Sequence, residues 1–119
     1  MKKRANSFKA AFTGLYEGLK NQWNFKFHLI AACVVIALGF YFEVSKMEWS
    51  VLLLCCAMVI SLELINTAIE LLCDFVEPNK NEKIRIIKDI SAAGVLVSAI
   101  IAAVVGGIVF VPRIIERFF

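Results

Sequence analysis

The sequence predicts an all-α integral membrane fold: an N-terminal amphipathic surface helix followed by three transmembrane helices. Two observations lead there. The chain is 61% hydrophobic over 119 residues, with a mean hydropathy of +0.79, whereas a soluble domain is about 45–50% apolar. A chain this short has too little interior to hide the excess. The apolar residues are also blocked, since residues 29–42, 49–62 and 90–111 carry no charged side chain. Lipid solvates such blocks cheaply, and water does not. The length allows one small domain, 1–119, and no second.

The surface helix is expected over residues 5–24. Phe8, Ala11, Phe12, Leu15, Leu19 and Trp23 recur at three- and four-residue steps, with Lys9, Thr13, Glu17 and Lys20 on the other side. That pattern suits a helix lying in the headgroup plane, and equally the packing of the same stripe against the bundle. Residues 1–26 lack the apolar stretch and small-residue cleavage site of a signal peptide. The first span is placed at 26–44. Its apolar block is shorter than the roughly 20 residues a crossing needs, and it gains length through Lys26, whose head snorkels to the interface. The second, 48–74, continues through Glu63 and Glu70 to Asp74. The third, 88–111, is long enough by itself. In it Ser91, Ala92, Ala99, Ala102, Ala103 and Gly106 gather on one side as a packing seam, and Ser98 reads as a back-bonded helical serine. Cys33, Cys55, Cys56 and Cys73 all fall in apolar helix and read as small hydrophobes.

Lys and Arg set the orientation. Lys2, Lys3, Arg4, Lys9, Lys20 and Lys26 precede the first span, and Lys80, Lys83, Arg85 and Lys88 separate the second from the third. The opposite side holds Lys46, Arg113 and Arg117. The positive-inside bias therefore puts the N-terminus and the 74–89 loop in the cytoplasm. The net charge of +3 needs no nucleic acid to explain it, because the basic residues face anionic headgroups.

Chemistry becomes plausible on the second span. Glu63, Asn66, Glu70 and Asp74 are spaced i, i+3, i+7 and i+11, and at about 100° per residue they project within a sector of roughly 80°. Thr67 lies beside them. A helix entering near Trp49 leaves the hydrocarbon near Ile69, which puts Glu63 roughly 9 Å inside the boundary, Glu70 at it and Asp74 beyond it. A carboxylate near the bilayer centre is penalised by about 2.5–3.5 kcal/mol on insertion scales. One buried Glu suffices to fix helix register, and a stripe of four polar residues exceeds that need. Asp74 alone reads as a solvated helix-end charge. Lys88 and Asp89 open the third span at the depth of Glu70 and Asp74, and Lys88 is well placed to meet a carboxylate or a phosphate.

Two or three carboxylates can hold a divalent cation and position a base, and Lys88 supplies charge for phosphate. Phosphoryl transfer needs largely this positioning and charge neutralisation. A hydroxyl at the interface with its tail in lipid fits as acceptor. The string Gly14-Leu15-Tyr16-Glu17-Gly18-Leu19-Lys20 lacks the P-loop spacing and its Ser/Thr.

The string Glu63-Leu64-Ile65-Asn66-Thr67-Ala68-Ile69-Glu70, then Asp74 and the Lys88-Asp89 pair opening a small-residue helix, resembles the signature of the prokaryotic diacylglycerol kinase family. The resemblance covers nearly the whole chain, including Ser7-Phe8-Lys9-Ala10-Ala11-Phe12 and the three-span layout. It implies a homotrimer with active sites shared between neighbours, using ATP and Mg2+, in the bacterial inner membrane. It further implies that Glu63 is the general base and that Asn66 orients that region. Glu70 would ligate magnesium, Asp74 would shape the nucleotide site, and Lys88 and Asp89 would contact the nucleotide. Diacylglycerol-specific members carry a second metal-binding glutamate ahead of the first span. Gln22 stands at that place here, and its amide oxygen can ligate magnesium without adding charge. Gln22 followed by Asn24 and His28 is similar to the branch that phosphorylates undecaprenol, which favours that lipid over diacylglycerol. Asn24 would help hold the nucleotide, whereas His28 reads as a headgroup-level anchor. Two rival classes stand beside the kinase: a small proton-coupled transporter subunit with Glu63 as carrier, and a catalytically dead structural trimer.

Overall fold

The computed structural model describes residues 2–119 and shows four helices among them, α1 (Lys2–Asn21), α2 (Trp23–Tyr41), α3 (Lys46–Val76) and α4 (Glu82–Phe118). The last three are long and apolar enough to cross a membrane. At 1.5 Å per residue α2 is about 28 Å long, α3 about 46 Å and α4 about 55 Å. The latter two therefore run past a hydrocarbon core of about 30 Å. Most large apolar side chains along them, such as Leu54, Ile65, Val97, Ile101 and Ile108, are exposed. An outer surface of this kind is matched by lipid.

Local sequence sets the helix ends. Ser45 caps α3: its hydroxyl accepts from Glu48 N at 3.2 Å, and Ser45 N donates to Glu48 Oε1 at 3.0 Å. This reciprocal box satisfies two donors that a helix start leaves free. Asn81 caps α4, its Oδ1 accepting from Lys83 N at 2.9 Å and Ile84 N at 3.3 Å. Only Gln22 separates α1 from α2. It is extended, φ −129° and ψ 118°, and its side chain makes no cap, which leaves the amide free to reach elsewhere.

Two glycines permit close approach. A Cβ on Gly18 of α1 would lie 2.8 Å from Leu64 Cδ2 of α3. One on Gly39 of α2 would meet three atoms of the Trp49 ring at 2.5–2.9 Å. In the turn beyond, Glu43 takes φ 50°, a left-handed conformation uncommon outside glycine.

α3 packs most extensively on α4 and next on α2, and α1 touches both α2 and α3. The apolar core lies towards the α2–α3 turn, where Val44, Leu52, Val109 and Phe110 are buried with Trp49, Leu38 and Val105 around them. Arg113 closes that end. Its guanidinium donates to both Glu48 oxygens, at 2.6 and 2.7 Å, and to Val109 O at 3.0 Å. Ser98 donates to Val95 O at 2.8 Å, as expected of a back-bonded serine.

Candidate active site

The polar stripe on α3 lies at the other end, towards the α3–α4 loop. Glu63, Asn66 and Thr67 are buried, Glu70 is half-buried and Asp74 is exposed. The order follows the helix as it leaves the bundle. Thr67 turns its hydroxyl back to Glu63 O at 2.9 Å, so it satisfies itself within the helix. Glu63 Oε1 and Asn66 Oδ1 are buried and find no hydrogen-bond partner among the described residues. A buried acceptor left unmade costs about 1–3 kcal/mol. Two of them on adjacent turns mark a place shaped for something other than stability.

Three neighbours complete the site. Gln22 Nε2 donates to Glu70 Oε2 at 3.2 Å, bringing the α1–α2 junction onto α3. Lys88 of α4 donates to Asp74 Oδ1, pairing the two residues that the sequence placed at one depth. His28 of α2 sets Nε2 3.8 Å from Glu63 Oε2. The sequence suggested a headgroup anchor for His28; instead its ring turns to the buried carboxylate. No local pattern announces that contact, because it depends on the register of α2 against α3.

Two expected residues are not drawn into this cluster. Asp89 is held by Arg85, whose Nη1 donates to its Oδ2 at 2.8 Å, while Nη2 donates to Glu82. Arg85 thus belongs to the same charged end, beyond its part in setting the orientation. Asn24 is exposed on the first turn of α2.

Two cavities flank the stripe. One, of about 590 Å³, lies by the α3–α4 loop and is lined by Asp74, Glu77, Asn79, Lys80, Arg85 and Lys88. The other, of about 300 Å³, is an apolar groove between α2, α3 and α4. Phe27 and His28 line it together with Ala31, Ala32, Val59, Ala99, Ala102, Ala103 and Gly106. Part of the small-residue side of α4, expected to be a seam, therefore borders open space. His28 belongs to both the groove and the stripe.

Among the described residues no three His, Cys, Asp or Glu side chains converge as a ready metal cage. Magnesium needs none, since it is commonly held by one or two carboxylates together with substrate phosphates and water. Turning the Gln22 amide half a turn exchanges Nε2 for Oε1 and sets an oxygen beside the Glu70 carboxylate. An all-oxygen pair of this kind fits that ion.

Comparison with known proteins agrees in family. Residues 9–110 match the prokaryotic diacylglycerol kinase family. The undecaprenol kinase of Bacillus subtilis (strain 168) is 37% identical over 108 residues, covering 91% of this chain and 88% of that protein. A diacylglycerol kinase of Haemophilus influenzae is 32% identical over 106 residues, covering 88% and 90%. One from Synechocystis is 34% identical over 111 residues, covering 92% of this chain and 63% of its own length. With three apolar helices long enough to span a bilayer and a match over nearly its whole length, this chain belongs to the prokaryotic diacylglycerol kinase family of membrane lipid kinases.

Proposed function

We propose that the protein transfers the γ-phosphoryl group of ATP to the hydroxyl of undecaprenol, giving undecaprenyl phosphate. The observation that carries this reading is Glu63: a buried carboxylate with an oxygen unpartnered among the described residues, next to an apolar groove and two turns from Glu70. The hydroxyl sits at Glu63 and the tail extends along lipid and groove. The alanines and Gly106 leave room for a slender methyl-branched chain. Undecaprenol is favoured over diacylglycerol by the likeness to the Bacillus enzyme and by the Gln22–Asn24–His28 string.

In the mechanism Glu63 takes the hydroxyl proton as the lipid oxygen bonds to phosphorus and ADP departs. Asn66, one turn on, orients the reacting groups through its Oδ1, unpartnered among the described residues, and its amide. Asp74 and Lys88 bind the nucleotide at the mouth, where Lys88 offers its charge to a phosphate, and Asp89 and Asn24, which stand outside the cluster, would join them once a nucleotide is bound. Glu70 and Gln22 would hold Mg2+, which when bound neutralises phosphate charge. Glu63 and Glu70 lie about 10 Å apart along the axis, which separates the proton acceptor from the phosphate-facing ligand. The protein works as a homotrimer in the bacterial inner membrane, with α1 on the surface and the N-terminus and site in the cytoplasm, as the basic residues and the family resemblance imply.

Labelled ATP, magnesium and either undecaprenol or diacylglycerol, added to purified protein in mixed micelles, test this reading. Label is expected in undecaprenyl phosphate above phosphatidic acid. A preference for diacylglycerol reassigns the substrate, and label in neither lipid overturns the kinase reading.

A further inference from the structure

A general base buried in a membrane must release its proton once per turnover. Glu63 is 2% exposed at its side chain, and bulk water does not reach it directly. The His28 side chain is 16% exposed, and its Nε2 stands 3.8 Å from Glu63 Oε2. That leaves the other oxygen, Oε1, unpartnered among the described residues. The carboxylate thus has one face for a substrate and one for an imidazole. Phe27 meets the His28 ring edge-on where α2 borders α3, with centroids 5.5 Å apart. The separation is longer than a hydrogen bond and shorter than a screened contact, and catalytic pairs commonly tighten only once substrate is bound.

We propose that His28 is a positioning residue for the phosphoryl transfer, serving as the proton outlet of Glu63. The inference rests on the lipid kinase reading above. In the first step the lipid O–H bond breaks as its oxygen bonds to the γ-phosphorus. The phosphoanhydride bond breaks, ADP leaves with that electron pair, and the proton goes to Glu63. In the second step the proton passes from Glu63 to Nε2 of His28. This restores the carboxylate and leaves an imidazolium that holds it as an anion. His28, the more exposed partner, then returns the proton to solvent. The balance is one proton carried from the lipid hydroxyl to water. An imidazole suits the task because it both accepts and releases a proton near neutrality. A lysine would retain it, and an amide cannot carry it.

The test is steady-state lipid phosphorylation by the full-length protein in mixed micelles, comparing wild type with His28→Ala and His28→Gln. General acid–base groups contribute about 10²–10⁴-fold, and kcat is expected to fall by about a hundredfold in both variants. KM for ATP and lipid should stay near wild type, and added imidazole should restore His28→Ala in part. Glutamine keeps the size and hydrogen bonding of the side chain, so His28→Gln at the wild-type kcat overturns the proposal. So does a His28→Ala loss that imidazole leaves untouched or that falls on KM. Wild-type protein that labels neither lipid overturns the kinase reading itself, whereas an active wild type matched by His28→Gln overturns only the role of His28.

Discussion

Replacing Glu63 by Gln tests the site where rate and stability should move in opposite directions. Glu63 is 2% exposed, and Gln fills the same volume, so no cavity or clash is introduced. What disappears is the capacity to take a proton. On the general-base scale this lowers kcat by about 10²–10⁴-fold, or roughly 2.7–5.5 kcal/mol at 1.36 kcal/mol per decade. KM should change little, because an amide still hydrogen-bonds a hydroxyl. Stability should hold or rise. A carboxylate at the bilayer centre carries about 2.5–3.5 kcal/mol of penalty; at the shallower depth of Glu63, relief of about 1 kcal/mol is expected. The assay pairs initial rates of label transfer, at saturating ATP and lipid, with the midpoint of SDS-induced unfolding in mixed micelles. A kcat within tenfold of wild type removes Glu63 as the base. A large loss of kcat together with a lower unfolding midpoint would instead make Glu63 a structural residue.

Gln22→Glu adds a charge beside Glu70 and should lower the magnesium concentration giving half-maximal rate; an unchanged magnesium curve argues that residue 22 is not a ligand. Arg113→Ala removes two bonds to Glu48 and one to Val109 O, from a pair exposed by 31% and 24%. Its loss should lower the midpoint of SDS-induced unfolding, with kcat retained. Gly39→Ala drives a methyl into three Trp49 ring atoms and should destabilise by about 1–3 kcal/mol, the usual range for overpacking; Trp49→Leu in the same chain should relieve it, as unfolding midpoints will show. Lys88→Ala leaves Asp74 without its partner and should raise the KM for ATP well above that for lipid, measured by varying each in turn.

Much of this was legible in the sequence, and the rest was withheld for definite reasons. Three uncharged blocks announced α2, α3 and α4, because no other element shelters that many consecutive apolar residues from water. The i, i+3, i+7, i+11 spacing put Glu63, Asn66, Glu70 and Asp74 on one side of a helix, since helical angle is a local property. Helix ends were less legible. α4 starts at Glu82, six residues before the expected 88, because Asn81 caps it and Arg85 braces its first turns against Glu82 and Asp89. The break between α1 and α2 falls on Gln22, with neither Gly nor Pro to signal it. Contacts between helices were the hardest to foresee. His28 and Glu63 lie 35 positions apart in the chain, Glu48 and Arg113 are separated by 65, and only packing register brings either pair together. The Ser45–Glu48 box could have been found from its S-x-x-E spacing.

The two ends of the bundle differ in a way that connects fold to chemistry. Around the α2–α3 turn, apolar side chains are buried together, and two nearby cations find partners, Arg113 on Glu48 and Arg117 over the Tyr41 ring at 4.8 Å. Towards the α3–α4 loop, buried acceptors are unmatched among the described residues, a cavity is open, and α1 approaches α3 closely enough that a Cβ on Gly18 would lie 2.8 Å from Leu64 Cδ2. Natural sequences are consistent across levels except where function demands otherwise. By that criterion the first end anchors the helices and the second is the candidate for the chemistry. A rigid α3 joins the two, which would fix the height of Glu63 relative to Glu70 while the α1–α2 junction and Lys88 adjust around a nucleotide. Substitutions at Arg113 should therefore lower stability with little change in kcat, and those at Glu63 the reverse. A protein in which both kinds of change moved stability and rate together would not have this division.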